Sequence, residues 1–446
     1  MAGNAHLDRV LGMPSIVLFG LAYLVPLTVF TTYGVVTEQT AGHLPAAYVV
    51  TLVAMLFTAY SYGLMVRAHP FAGSAYTYTQ RAFGPHLGFM TGWTLLLDYL
   101  FLPMINYLVM GIYLEAAFPG VPVAVWIMGA ILLVTGLNVL GIRLVARMNF
   151  VLVAVQVVFI AVFLVAAGRT IAGSGLPSLT EPFLPSGGEA SAVLGGAAIL
   201  CLSFLGFDAV STLSEETHDP RRRIPRAIML VTVVGGALFI LVSYVGHLVF
   251  PRYSEFTDVD SAALDVVGTA GGAALTAFFT AAYIAGCFGS AMASQASVSR
   301  ILYAMGRDGA LPAQIFGRLH QRFHTPALAT AVVGLLSCIA LVISLELASS
   351  MISFGALVAF SLVNLSVVKH YVIDEGYRTP ANLVAYAVVP GVGVLLTLWL
   401  WTSLSGTTFV VGLAWIAAGF VYLLALTRVF TRRPPELRLS EAEPAS

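Results

Sequence analysis

The sequence predicts an all-α membrane protein with about twelve spanning helices, and three observations predict it. Of 446 residues, 59% are hydrophobic and only 9% charged, whereas soluble domains keep roughly a quarter charged. The mean hydropathy is +0.91. Apolar runs recur at about the 20 residues that a helix needs to cross the hydrocarbon, and the basic residues gather in alternate connections between them.

The runs place spans near 13–36, 45–66, 87–113, 122–140, 148–168, 191–215, 227–250, 272–298, 326–345, 349–371, 383–403 and 407–428. An even number puts both termini on one side. With the N-terminus inside, nineteen Lys and Arg residues fall on inner segments, among them Arg67, Arg81, Arg221, Arg226, Arg300, Lys369 and Arg432; only Arg169 and Arg252 fall outside. That asymmetry predicts a multi-pass protein of the cytoplasmic membrane with both termini in the cytoplasm. The same orientation leaves nine carboxylates on the outer face, Glu38, Asp258, Asp260 and Glu346 among them. They read either as solvated loop charge or as a funnel for arriving cations. No cleavage site precedes the first run, so the first helix is expected to be retained rather than removed as a signal peptide.

Zero net charge leaves no basic excess to suggest nucleic acid. Cys201, Cys287 and Cys338 each lie in an apolar run, at no metal or disulfide spacing, and read as small buried side chains.

Two spans carry helix-breaking chemistry at mid-membrane. The first holds Gly20-Leu-Ala-Tyr23-Leu-Val-Pro26, and the sixth holds Ser203-Phe-Leu-Gly206-Phe-Asp208. Proline removes a backbone donor and clashes with the preceding turn. Loosened backbone at that depth is tolerated only inside protein or beside a cavity. A single break would be an ordinary kink. Breaks in the first and sixth spans instead divide the chain into two five-helix repeats, 13–168 and 191–371, with helices 11 and 12 at 383–428, a tail at 1–12 and another at 429–446. Paired interrupted helices mark a transporter's binding site.

Asp98 and Asp208 are the acids that no loop or helix end accommodates. Asp98 lies about ten residues into its span, roughly 15 Å deep at 1.5 Å per residue. An acid at mid-bilayer costs about 2.5–3.5 kcal/mol, and no basic residue lies within the membrane near either one. Tyr23, Tyr99, Phe204 and Phe207 surround them in the sequence; aromatic faces favour an ammonium by about 0.5–2 kcal/mol. Substrate-binding candidates are therefore Asp98, Asp208, Tyr23, Tyr99, Phe204 and Phe207, with Gly20 and Gly206 at the breaks. Structural acids and packing aromatics are the competing reading. Glu215 and Glu216 close the sixth span as an interfacial charge cluster or an inner gate. Ser294 belongs to a small-residue stripe with Gly286 and Ser290, suited to close packing or to a cation.

Several motifs carry a resemblance. Phe71-Ala-Gly-Ser-Ala-Tyr-Thr-Tyr78, Gly92-Trp93, Phe204-Leu-Gly-Phe-Asp-Ala209, Ser214-Glu-Glu-Thr217, Ile224-Pro-Arg-Ala227 and Arg300-Ile-Leu-Tyr-Ala-Met-Gly-Arg-Asp-Gly-Ala-Leu-Pro312 resemble those of the amino acid–polyamine–organocation superfamily, over about residues 10–428. Gly20-Leu-Ala-Tyr23 with Pro26, and Leu97-Asp-Tyr-Leu-Phe-Leu-Pro-Met-Ile-Asn106, resemble the bacterial putrescine importer group. The resemblance implies a leucine-transporter-like inverted-repeat fold, alternating access and secondary active import of putrescine. It also implies coupling to protons, with sodium as the alternative ion. Two departures stand out. Thr31 occupies a position where that group often has an acid. The fifth span lacks the lysine of several proton-coupled members, and Gln156 is its most polar interior residue, a coupling candidate.

The expected cargo is a small organic amine, putrescine first, and the alternative is a cationic or neutral amino acid. The bulky run Gly20-Leu-Ala-Tyr-Leu exposes few amides to a carboxylate, which favours the amine. No His, Cys or acid cluster and no nucleophile motif lies within the spans, so neither an enzyme nor a metal site nor a cofactor is expected. A non-transporting amine sensor and a channel are the remaining classes, and the twin breaks argue against the channel.

Overall fold

The computed structural model describes residues 11–70, 75–140, 145–174, 178–185, 189–214, 216–307, 309–323, 325–432 and 434. Among them all regular structure is helical: α1 (Met13–Leu24), α2 (Tyr33–Gln39), α3 (Leu44–Ala68), α4 (Ala75–Phe83), α5 (Pro85–Ala117), α6 (Val123–Leu140), α7 (Val145–Ser174), α8 (Glu189–Ile199), α9 (Pro220–Val249), α10 (Ala263–Arg307), α11 (Ala327–Ser337), α12 (Leu345–Val367), α13 (Pro380–Leu383), α14 (Val389–Thr402) and α15 (Gly406–Leu426). The first expected span is α1, a 3₁₀ turn at Pro26–Phe30, and α2. The sixth is α8 followed by 3₁₀ turns at Leu200–Phe204 and Ala209–Ser214.

Among the described residues eleven segments are long and apolar enough to cross a membrane. The ninth expected span is the exception. Its apolar helix Ala327–Leu341 is shorter and ends in a 3₁₀ turn at Cys338–Leu341. Ser344 Oγ accepts the Leu347 N–H at 3.2 Å and caps α12 at Leu345, the last residue of the expected ninth span. Cys338 sits on that turn and is partly exposed, unlike buried Cys201 and Cys287. The eighth expected span, 272–298, is likewise longer. α10 runs through Ala263–Arg307 with a kink at Gly272, φ 67°. Asp265 in its first turn accepts the Thr257 N–H and hydroxyl at 2.8 and 3.0 Å, tying the preceding loop to the helix start before the apolar run.

The segments sort by depth. α5, α12 and the sixth span are mostly buried, whereas α6, α14 and α15 are mostly exposed to what surrounds the bundle. Apolar side chains gain little from leaving lipid, so close backbone approach and internal hydrogen bonds hold such a bundle together. A Cβ added to Gly355 of α12 would lie 2.9 Å from the Thr94 carbonyl oxygen and 3.4 Å from the Asp98 nitrogen; α12 thus packs backbone to backbone on α5 beside Asp98. At the periphery Trp93 Nε1 donates to the Trp415 carbonyl at 3.0 Å and Trp415 Nε1 returns the bond to the Trp93 carbonyl at 2.9 Å, clamping α15 to α5.

Just past α3, the His69 ring lies tilted against His370, ring centroids 5.0 Å apart. Burial first, then His370 and Arg81, lower the His69 imidazole to about 4. The folded chain thus holds a neutral imidazole between pH 4 and 6.5, where the unfolded chain binds a proton. Stability is full above 6.5 and falls as pH drops toward 4. Thermal unfolding of the wild type should show that decline, and His69→Gln should flatten part of it; an unchanged pH slope in the variant would refute the assignment.

Candidate functional site

The two breaks meet. α1 stops at Leu24, and Val25 takes φ 52°, a conformation that a β-branched residue adopts only under strain of about 1–3 kcal/mol. Pro26 follows and cannot continue the ladder. In the sixth span Gly206 has φ 133°, and a Cβ there would lie 2.9 Å from the Leu24 nitrogen and 3.0 Å from Tyr23 Cδ1. Glycine is thus required twice over, for its backbone angle and for the contact between the interrupted segments.

Each freed backbone group then needs a partner. Leu27 N–H donates to Gln156 Oε1 at 3.3 Å, the Thr28 hydroxyl to the Leu24 carbonyl at 2.9 Å, and Tyr113 OH to the Phe30 carbonyl at 3.2 Å. At the sixth span Thr51 donates to the Ala197 carbonyl at 2.9 Å and Ser353 to the Ile199 carbonyl at 2.8 Å. The Gly206 N–H donates to Asp208 Oδ1 at 3.0 Å, and the Ser211 hydroxyl donates to the Asp208 carbonyl at 2.6 Å. Neighbouring helices therefore hold both breaks open with hydroxyl and amide side chains.

Asp98 and Asp208 come together here from α5 and the sixth break, each within the electrostatic reach of Tyr23 and Tyr99, and Asp98 also within that of Asp208. Asp98 is 6% exposed, and its Oδ1 is buried with no hydrogen-bond partner. Among the described residues neither carboxylate forms an ion pair. A buried acceptor left unmade costs about 1–3 kcal/mol, more when charged. The arrangement is electrostatically incomplete and suited to a cation.

Tyr23 is 40% exposed, and Asp208 is partly exposed. Beyond the break, Phe30 packs edge-on against Phe163 and Phe279 at 5.7 and 5.1 Å. Tyr283 stacks on Phe279 at 5.2 Å and shares a 2.7 Å hydrogen bond with Thr31. These rings are buried. Acids from separate segments share one neighbourhood: burial first, then Asp258, Glu346 and Glu38, raise the Asp260 carboxyl.

Residues 15–430 match the amino acid permease family model. The chain belongs to that family. It is 42% identical over 444 residues to the low-affinity putrescine importer PlaP of Escherichia coli (strain K12), covering 97% of each chain. It is 30% identical over 448 residues to a methylthioribose transporter of Bacillus subtilis (strain 168), covering 94% of each. It is 27% identical over 454 residues to the branched-chain amino acid permease BcaP of the same organism, covering 96% of this chain and 95% of the relative.

In this permease the other sequence candidates part company. Phe207 stays at the site wall, edge-on to Tyr62 at 5.7 Å and tilted on Phe360 at 5.3 Å. Phe204 does not: its 3₁₀ turn aims it at α9, where it packs on Phe239 at 5.7 Å. Gly20 is a packing residue as well, since a Cβ would lie 2.7 Å from both Val210 and Val231. Ser294 donates to its own helix at the Ser290 carbonyl, 2.7 Å away. Gln156 anchors the first break. Glu216 contributes its carbonyl, which accepts the Leu11 N–H at 2.9 Å and docks the entrance of α1; Glu215 lies outside the described residues. Sequence reasoning missed Tyr62 and Tyr283. Tyr62 lies within the field of Asp208, Tyr99 and Asp98, yet in sequence it is one aromatic among several in α3, and only the packing singles it out.

Proposed function

We propose that this permease is a secondary active importer of putrescine or a closely related small amine in the cytoplasmic membrane. The observation that carries the reading is a pair of buried carboxylates, Asp98 and Asp208, with no cation to neutralise them among the described residues. One ammonium pairs with Asp208 and the other with Asp98, directly or through water. Tyr23, Tyr99 and Phe207 flank the methylene chain. The putrescine importer PlaP at 42% identity supports the choice of cargo. The distribution of Lys and Arg supports an orientation with both termini inside. The acidic neighbourhood of Asp260 then faces arriving cations. Import proceeds by alternating access, with the α1 and sixth-span breaks rocking about their contact. Protons are the proposed coupling ion, because the site already carries two carboxylates able to exchange one.

Amino acid transport is the second reading, favoured by the family and by the branched-chain relative. An amino acid brings a carboxylate, which interrupted helices hold with free amides. Here the Leu27 and Gly206 amides already serve Gln156 and Asp208, and position 26 is proline. The experiment is uptake of labelled putrescine into proteoliposomes under imposed proton or sodium gradients, with cadaverine, lysine, arginine and leucine as competitors. Saturable uptake, raised by a proton gradient and blocked best by the diamine, is expected. Uptake blocked equally by leucine, or no saturable uptake, would overturn the assignment.

A further inference from the structure

On the bundle's outer face a groove of about 400 Å³ runs between α3 and α9. Its walls come from residues one turn apart on each helix: Ala59, Gly63 and Arg67 on α3, and Arg226, Met229 and Val233 on α9. A Cβ on Gly63 would lie 3.1 Å from Pro225 Cβ, so the helices touch there and form the groove's floor. The outward wall stays open; Leu230 and Val233 are 43% and 44% exposed. α3 ends and α9 begins at the same end of the bundle, so both arginines sit at one mouth of an otherwise apolar channel. Both are exposed, and among the described residues neither pairs with a carboxylate.

We propose that this groove binds one anionic phospholipid of the cytoplasmic leaflet, its phosphate between Arg67 and Arg226 and an acyl chain along Ala59, Met229 and Val233. A cationic mouth on an apolar channel that faces hydrocarbon matches that molecule at both ends. Basic pockets between spanning helices on the cytoplasmic side take such headgroups, and guanidinium forks match phosphate oxygens. A zwitterionic lipid offers the same chain but no net negative charge. The proposal stands apart from the cargo assignment, since the groove shares none of the acids or tyrosines of the central site.

Native mass spectrometry of the full-length protein, with phosphatidylglycerol and phosphatidylethanolamine of matched chains, tests it. The wild type should retain about one phosphatidylglycerol with a preference on the order of tenfold, and the Arg67→Gln/Arg226→Gln double variant should lose that preference. Val233→Trp, which fills the channel and keeps both charges, should lose the lipid too. Labelled putrescine binding reports that the variants are folded and reads the central site separately. Equal retention of the two lipids by the wild type would overturn the proposal. So would a preference that survives the double variant, displacement by inorganic phosphate at equal concentration, or a second copy of the chain in place of lipid.

Discussion

Asp208→Asn should reduce putrescine uptake by a factor on the order of 10² to 10³ while the protein still folds. The substitution keeps the shape, and the amide oxygen can still accept the Gly206 N–H that Asp208 Oδ1 now takes at 3.0 Å. What it removes is the negative charge. Breaking a buried ion pair by neutralising one partner costs about 3–5 kcal/mol, because the other charge is left desolvated and unpaired; at about 1.4 kcal/mol per tenfold, that is two to three orders of magnitude. In this case the stranded charge belongs to the ligand, so the loss appears in transport and not in thermal stability. Uptake by proteoliposomes, read beside a melting curve, separates the two. An Asp208→Asn carrier with undiminished uptake would remove Asp208 from the site.

Gly206→Ala should have the next largest effect, and it tests the contact between the breaks and not the charge. The new methyl carbon would lie 2.9 Å from the Leu24 nitrogen and 3.0 Å from Tyr23 Cδ1, at a backbone φ of 133°. Strain of the backbone angle and overpacking each cost about 1–3 kcal/mol. The protein can relieve both only by parting the sixth break from α1, which shifts Tyr23 and Asp208 relative to each other. Transport is expected to fall at least about tenfold, with a lowered melting temperature. Normal uptake and normal melting together would show that the two breaks need not touch. Ala22→Gly, two residues before Leu24, adds no bulk at the contact and serves as the comparison.

How much of this site was legible in the sequence depends on the kind of signal. Asp98 and Asp208 stood out because hydrocarbon penalises an acid whatever the fold, and that penalty attaches to single residues. Gly206 and Pro26 were visible for a related reason, being unsuited to an uninterrupted helix. Composition does not say which way a residue points: Gly20 packs within α1 on Val210 and Val231, and Phe204 turns toward Phe239 of α9 from its 3₁₀ turn. The packed rings Phe30, Phe279 and Tyr283 were invisible as a group. They come from two distant helices, and each alone is an ordinary apolar residue.

The membrane class, the positions of nearly all the spans and the presence of two breaks follow from the chain alone, because transfer into hydrocarbon acts on local composition. The length of the ninth span and the start of the eighth were not legible from apolarity; the Ser344 cap of α12 and the tie between Asp265 and Thr257 are polar contacts that apolarity does not report. Only the tertiary structure decided that the breaks touch at Gly206 and Leu24, and that Gln156, Thr51 and Ser353 satisfy their backbone. It alone brought Asp98 within the electrostatic reach of Asp208, with no ion-pair partner for either among the described residues, since pairing between residues 110 positions apart depends on packing geometry, which no local free energy encodes.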